Sequence, residues 1–124
     1  MRDPRAPEPR PPFALVAALL GAAVATRFLA IAAAPGEIDE AVFSGAVTRF
    51  DMARLSPQAP GFPVWILLGR ALLPVVPSPF HALAVAATLL SCLSLLALHA
   101  WGRRVVGPWA ALGATLFAAF LPVV

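Results

Sequence analysis

Apolar residues run along the chain in long blocks separated by short, proline-marked polar segments. Three blocks stand out: FALVAALLGAAVATRFLAIAAA (13–34), FHALAVAATLLSCLSLLALHAW (80–101) and the run 105–124. About 20 mostly apolar residues in a helix cross a bilayer core, so the pattern predicts three membrane spans at about 13–34, 80–101 and 105–124. A fourth apolar stretch, VWILLGRALL (64–73), is too short to cross and is closed by Pro74, Pro77 and Pro79; it predicts a re-entrant or interfacial helix. From Ile38 to Leu55 the pattern changes to helical alternation. Asp39, Phe43, Ala46 and Phe50 fall on one face, with Glu40, Ser44 and Asp51 beside it, which predicts an amphipathic helix lying at a membrane surface. SPQAPGFP (56–63) reads as an extended turn, and MRDPRAPEPRPP (1–12) as a disordered tail. The expected organisation is therefore a tail over 1–12, then a polytopic membrane domain over 13–124 whose first loop is 35–79.

Composition sharpens this. Of 124 residues, 60% are hydrophobic and 12% charged, whereas soluble domains are roughly a quarter charged. A soluble fold of this length could not bury so much apolar surface, but lipid can cover it. The predicted class is all-α and helical transmembrane, with amphipathic and re-entrant helices in the first loop. The single cysteine, Cys92, excludes a disulfide framework and a cysteine metal site. The nine basic residues are all Arg, and the net charge is +3. They are scattered rather than striped, so no nucleic-acid partner is indicated.

Arg placement sets the expected orientation. Arg2, Arg5 and Arg10 precede the first block, and Arg103 and Arg104 follow the second. The positive-inside rule makes both ends cytoplasmic and the loop 35–79 extracytoplasmic, although Arg49, Arg54 and Arg70 within the loop reduce the bias. A multi-pass protein of the inner (plasma) membrane with a cytoplasmic N-terminus is expected. A cleavable signal peptide is the rival reading of the first block, with Ala32 to Ala34 as the small-residue site. Pro35 after that site opposes cleavage, and the run is long for a signal core. The third block stops at Val124 without a polar flank, and the expectation is that the protein continues beyond it.

Candidate chemistry gathers in the loop, which holds four of the six acids, Glu37, Asp39, Glu40 and Asp51. Asp39 opens the amphipathic helix on its apolar face. A carboxylate there is placed to act as a general base on an acceptor hydroxyl; the structural alternative is a helix N-cap. Glu40 is placed to bind a metal or an Arg, or to be a solvated first-turn acid that complements the helix dipole. Arg27, Arg49, Arg54 and Arg70 suit a phosphate or are snorkelling and solvated residues. Arg27 interrupts the first block and reads either as snorkelling to the far interface or as facing a polar cavity. His81 and His99, 18 residues apart, cannot share a metal on one helix and read as interface histidines. Ser91 and Ser94 are expected to bond back to helix carbonyls. No phosphate loop, nucleophile elbow or zinc signature is present, and no cofactor is identified; a divalent metal in the loop stays open.

Three segments together carry a resemblance to a known group. IDEAVF (38–43), QAPGFPVWILLGRAL (58–72) and WGRRVVGPWAALGATLFAAFLP (101–122) resemble, in order and spacing, the N-terminal end of GT-C fold glycosyltransferases. That superfamily includes protein O-mannosyltransferases and lipid A aminoarabinose transferases. The likeness lies in the Asp-Glu motif of the first extracytoplasmic loop, the His-Pro-Pro-Gly-Tyr-Pro segment with its following helix, and the cytoplasmic Arg-Arg turn with the next helix. It implies transfer of a sugar from a polyprenyl-phosphate donor to a lipid, protein or glycan acceptor outside the membrane. By that resemblance the catalytic role falls on Asp39, with Glu40 as its neighbour, and Arg27, Arg49 and Arg70 are the candidates for binding the substrate. The chain departs from the family at Gln58-Ala59-Pro60, which lacks the His, and at Phe43, which lacks a tyrosine hydroxyl. The rival readings are a small non-enzymatic membrane protein and a transporter fragment.

Overall fold

The computed structural model describes residues 9–51, 53 and 62–120. Among them the chain is entirely helical, with no strand: α1 (Phe13–Leu29), α2 (Ile38–Thr48), α3 (Pro63–Leu72), α4 (Pro79–Val105) and α5 (Pro108–Phe120). Prolines punctuate the order. Pro63, Pro79 and Pro108 each open a helix, where the missing N–H is not needed and the fixed φ is already helical. Gly107, at φ 91, makes the left-handed turn between α4 and α5 that a residue with a Cβ resists.

One helix, α4, is long and apolar enough to cross a membrane. Its 27 residues extend about 40 Å at 1.5 Å per residue, more than a hydrocarbon core of about 30 Å. The surplus lies at its C-terminal end, where Trp101, Arg103 and Arg104 are exposed. α1, with 17 residues, and α5, with 13 described residues, are apolar but shorter. The apolar segment 13–34 thus turns out of helix at Leu29. The end of the third expected span, 121–124, and the turn expected at 56–61 lie outside the described residues.

The chain divides into two compact units, residues 28–90 and residues 1–27 with 91–124, and α4 runs from one into the other. In the unit 28–90, α2 packs against α3. The core there is Ala46, Val47, Ile66 and Leu83, with Phe43, Phe50, Trp65 and Leu73 partly buried against it. This is the apolar face that the helical spacing predicted, with one correction. α2 ends at Thr48, not near Leu55: the Arg49 N–H closes the last turn on the Gly45 carbonyl at 3.0 Å, and the Thr48 hydroxyl donates to the same oxygen at 2.9 Å. Phe50 reaches the core from beyond the helix end. The N-cap of α3 is Phe62, a non-glycine residue at φ 41. The Phe62 ring meets Phe43 edge-on at 5.6 Å, a geometry worth about 0.5–1.5 kcal/mol beyond area burial.

Gly69 is where α3 approaches its neighbours most closely. A Cβ there would lie 2.7 Å from Leu83 Cδ2 and 2.9 Å from Val47 Cγ2, well inside van der Waals contact, and both neighbours are buried in the core. Gly69→Ala is expected to destabilise the α2–α3 packing by about 1–3 kcal/mol, the range for overpacking. This would appear as a lowered unfolding midpoint in detergent. An unchanged midpoint would mean that Leu83 and Val47 move aside freely.

Candidate functional site

The N-terminal turn of α2 places the two candidate acids. Its N-cap is Glu37, in extended backbone at φ −127 and ψ 157, so Asp39 is not the cap. Ile38, Asp39 and Glu40 are the first three helical residues. The Glu40 Oε2 accepts the backbone N–H of Gly36 at 2.6 Å and of Glu37 at 3.4 Å, the reach-back half of a capping box. Glu40 is therefore committed to holding the chain entry, and its own carbonyl accepts the Ser44 hydroxyl at 2.6 Å. Asp39 is exposed. It shares a face with Phe43, Ala46 and Phe50 by spacing, but the packing of that face begins one turn later, at Phe43. Its negative charge in the first turn complements the positive end of the helix dipole.

Arg49 and Arg70 belong to the other end of α2. Arg49 is its C-cap. Arg70, on α3, donates from Nε to the Val47 carbonyl at 2.7 Å, one of the last-turn carbonyls that have no partner within the helix. Cations are favourable at this negative end of the dipole. Val47 lies eight residues after Asp39 and Arg49 ten, or about 12 and 15 Å along the axis. The structure thus gathers Arg49 and Arg70 with each other but not with Asp39 and Glu40. Arg54 lies outside the described residues. Among the described residues no three His, Cys, Asp or Glu side chains cluster to hold a metal.

Arg27 is in the other unit, near the end of α1. One of its terminal nitrogens donates to the Ser91 hydroxyl of α4, and the other to the Ala119 carbonyl of α5 at 3.1 Å. Its Nε is buried without a partner among the described residues. The guanidinium thus crosslinks three apolar helices. Ser91 was expected to bond back to its own helix; it accepts from Arg27 instead, while Thr88 and Thr115 do make such bonds, to Ala84 at 2.9 Å and to Ala111 at 2.7 Å. Nothing in the spacing alone pairs Arg27 with Ser91, 64 positions away.

The histidines differ. His81 pairs its Nδ1 with the Ser78 hydroxyl at 2.9 Å at the start of α4. His99 is buried, with neither ring nitrogen partnered among the described residues.

Removing an acceptor from the half-buried Arg27 leaves a donor unsatisfied, at roughly 1–3 kcal/mol where the group is shielded from water. Ser91→Ala is expected to lower stability by about that amount, measured as the thermal midpoint in detergent; no change would mean that Ser91 does not hold Arg27. No protein-family model, no curated protein and no solved structure matches the chain.

Proposed function

We propose that the chain is the N-terminal part of an integral membrane glycosyltransferase, transferring a sugar from a polyprenyl-phosphate donor to an acceptor outside the membrane. The observation that carries this reading is the setting of Asp39: an exposed carboxylate on the first turn of a helix whose same face packs one turn further on, in a loop between apolar segments. Three apolar crossings with an outer loop 35–79 accommodate that loop. The exposed apolar side chains of α4, among them Leu93 at 61%, suit contact with lipid, and only a third of the helix is buried within the chain.

In this reading Asp39 takes the proton of the acceptor hydroxyl. The acceptor oxygen bonds to the anomeric carbon, the bond from that carbon to the donor phosphate breaks, and the polyprenyl phosphate leaves with the electron pair. The base and the leaving oxygen of one displacement flank a single carbon. Arg49 and Arg70 lie a helix length away; Arg70 serves to hold α2 through the Val47 carbonyl, and the leaving phosphate is left to other cations. Glu40 acts as a positioning residue that keeps the first turn closed beneath Asp39. The donor's isoprenoid tail brings its phosphate to the lipid interface, where a surface helix such as α2 would meet it.

Asp39→Asn in the full-length protein is expected to reduce sugar transfer about 10²–10⁴-fold, the scale of a general base, with normal amounts of protein in the membrane. The measurement is transfer from a radiolabelled polyprenyl-phosphate sugar in membrane vesicles. Unchanged transfer would remove Asp39 from the mechanism.

A further inference from the structure

A cleft of about 730 Å³ opens within the unit formed by α1, the second half of α4, and α5. It is lined by Arg10, Arg103, Arg104 and His99, with Phe13, Val16, Ala17 and Leu20 of α1 forming an apolar wall. Among the described residues no acid lines it. Like charges therefore gather in this part of the wall, and two further features add positive potential. The N-termini of α1 and α5 both meet the cleft, at Phe13 and Pro108. Helix N-termini attract anions, although Pro108 has no N–H and the Leu15 N–H already donates to the Pro12 carbonyl at 3.0 Å. One helix C-terminus, that of α4, opposes them.

His99 is the independent sign that the cleft takes a ligand. The residue is 7% exposed, and both ring nitrogens are buried without a hydrogen-bond partner among the described residues. A buried polar group left unpaired is costly; both nitrogens are closed off as the ring stands, and a turn of the imidazole toward the cleft that His99 lines would bring one of them to a phosphate oxygen. The apolar wall beside the cations distinguishes a lipid from a free anion. Phosphate, Arg and helix ends would meet at the rim, while a hydrocarbon chain runs along Phe13, Val16, Ala17 and Leu20, with Phe13 being 86% exposed. Basic pockets between helices at the cytoplasmic level suit anionic headgroups, and Arg pairs with phosphate in a two-pronged geometry.

We propose that this cleft binds the phosphate headgroup of an anionic phospholipid through Arg10, Arg103, Arg104 and His99, with an acyl chain against α1. The proposal rests on the membrane-spanning part of the reading above, not on sugar transfer. The phosphate chemistry alone would also fit inorganic phosphate, which the test separates.

The experiment uses the full chain in detergent, with thermal unfolding and native mass spectrometry as readouts. The probes are dioleoylphosphatidylglycerol, dioleoylphosphatidylcholine and inorganic phosphate. Phosphatidylglycerol is expected to raise the midpoint and remain bound, phosphatidylcholine to do neither, and phosphate alone to bind far more weakly. The double variant Arg103→Gln/Arg104→Gln is expected to lose at least tenfold in phosphatidylglycerol affinity, and His99→Leu to lose part of it. Should the double variant fail to fold, wild-type binding at high salt decides: the preference for phosphatidylglycerol should fall sharply as ions screen the arginines, and a salt-insensitive preference would overturn the proposal. Equal binding of the two lipids, double-variant affinity within twofold of wild type, or phosphate binding as tight as the lipid would each overturn it. Alkaline carbonate extraction of membranes separates the two failures. A chain that resists extraction yet shows no lipid preference fails this proposal alone, while a chain that is extracted fails the membrane reading beneath it.

Discussion

Internal closure of backbone hydrogen bonds is the constraint on which the other features depend. The chain is 60% hydrophobic, more apolar side chain than a fold of this length usually buries. In hydrocarbon each unpaired N–H or C=O costs several kcal/mol, so a crossing segment must be helical. α4 meets that requirement over 27 residues, with its apolar side chains turned outward and its Arg pair past the end. The prolines follow from the same requirement. They open helices or lie between them, where no N–H has to be donated.

Polar groups inside such helices must find partners in the chain. Arg27 shows how: one side chain ties Ser91 of α4 and Ala119 of α5 to α1. The helix lengths on either side of that tie agree. Phe13 to Arg27, Ser91 to Arg103 and Pro108 to Ala119 are 14, 12 and 11 steps in sequence, or about 21, 18 and 17 Å of helix. The Arg27 crosslink therefore lies near one end of this three-helix unit and the Arg-lined cleft near the other. A parallel α1 and α5 with an antiparallel α4 follow from those two contacts. In the other unit Thr88 is buried and bonded back to its own helix, while the polar groups of α2 are surface groups. Glu40 closes the start of α2 and Arg70 its end, so the helix that carries Asp39 is fixed at both termini.

Much of the helical order is legible from hydrophobic pattern and proline position. The short helix at 64–73, the start of α2 at Ile38 and the long helix from residue 80 all correspond to features of the sequence. The buried face of α2 does too, since Phe43, Ala46 and Phe50 repeat at helical spacing. What the pattern misses is set by partners distant in sequence or by end chemistry. The cap falls on Glu37 because Glu40 can fold back to the two preceding amides, which composition at a single position does not reveal. α2 stops at Thr48, where the Arg49 N–H and the Thr48 hydroxyl both close on the Gly45 carbonyl, and Phe50 packs from outside the helix. The roles of Ser91 and His99 depend on which helices meet, and one apolar block carries no record of its neighbours. The candidate acids and arginines of the loop are all recognisable as ionisable groups near apolar helices, but their separation along α2 appears only once its length and its contact with Arg70 are known.

The central claim is that α2 and its carboxylate stand outside the membrane while the Arg103–Arg104 turn stands inside. Cysteine accessibility tests it most directly. In a Cys92→Ala background, which removes the single native thiol, one cysteine is placed at Gly36 and, in a separate variant, one at Val106; both positions lie outside the helices. A membrane-impermeant maleimide applied to intact cells should label the cysteine at 36 at once and the cysteine at 106 only after permeabilisation. Labelling of 106 in intact cells with 36 protected, or recovery of the chain in the soluble fraction, would contradict the account.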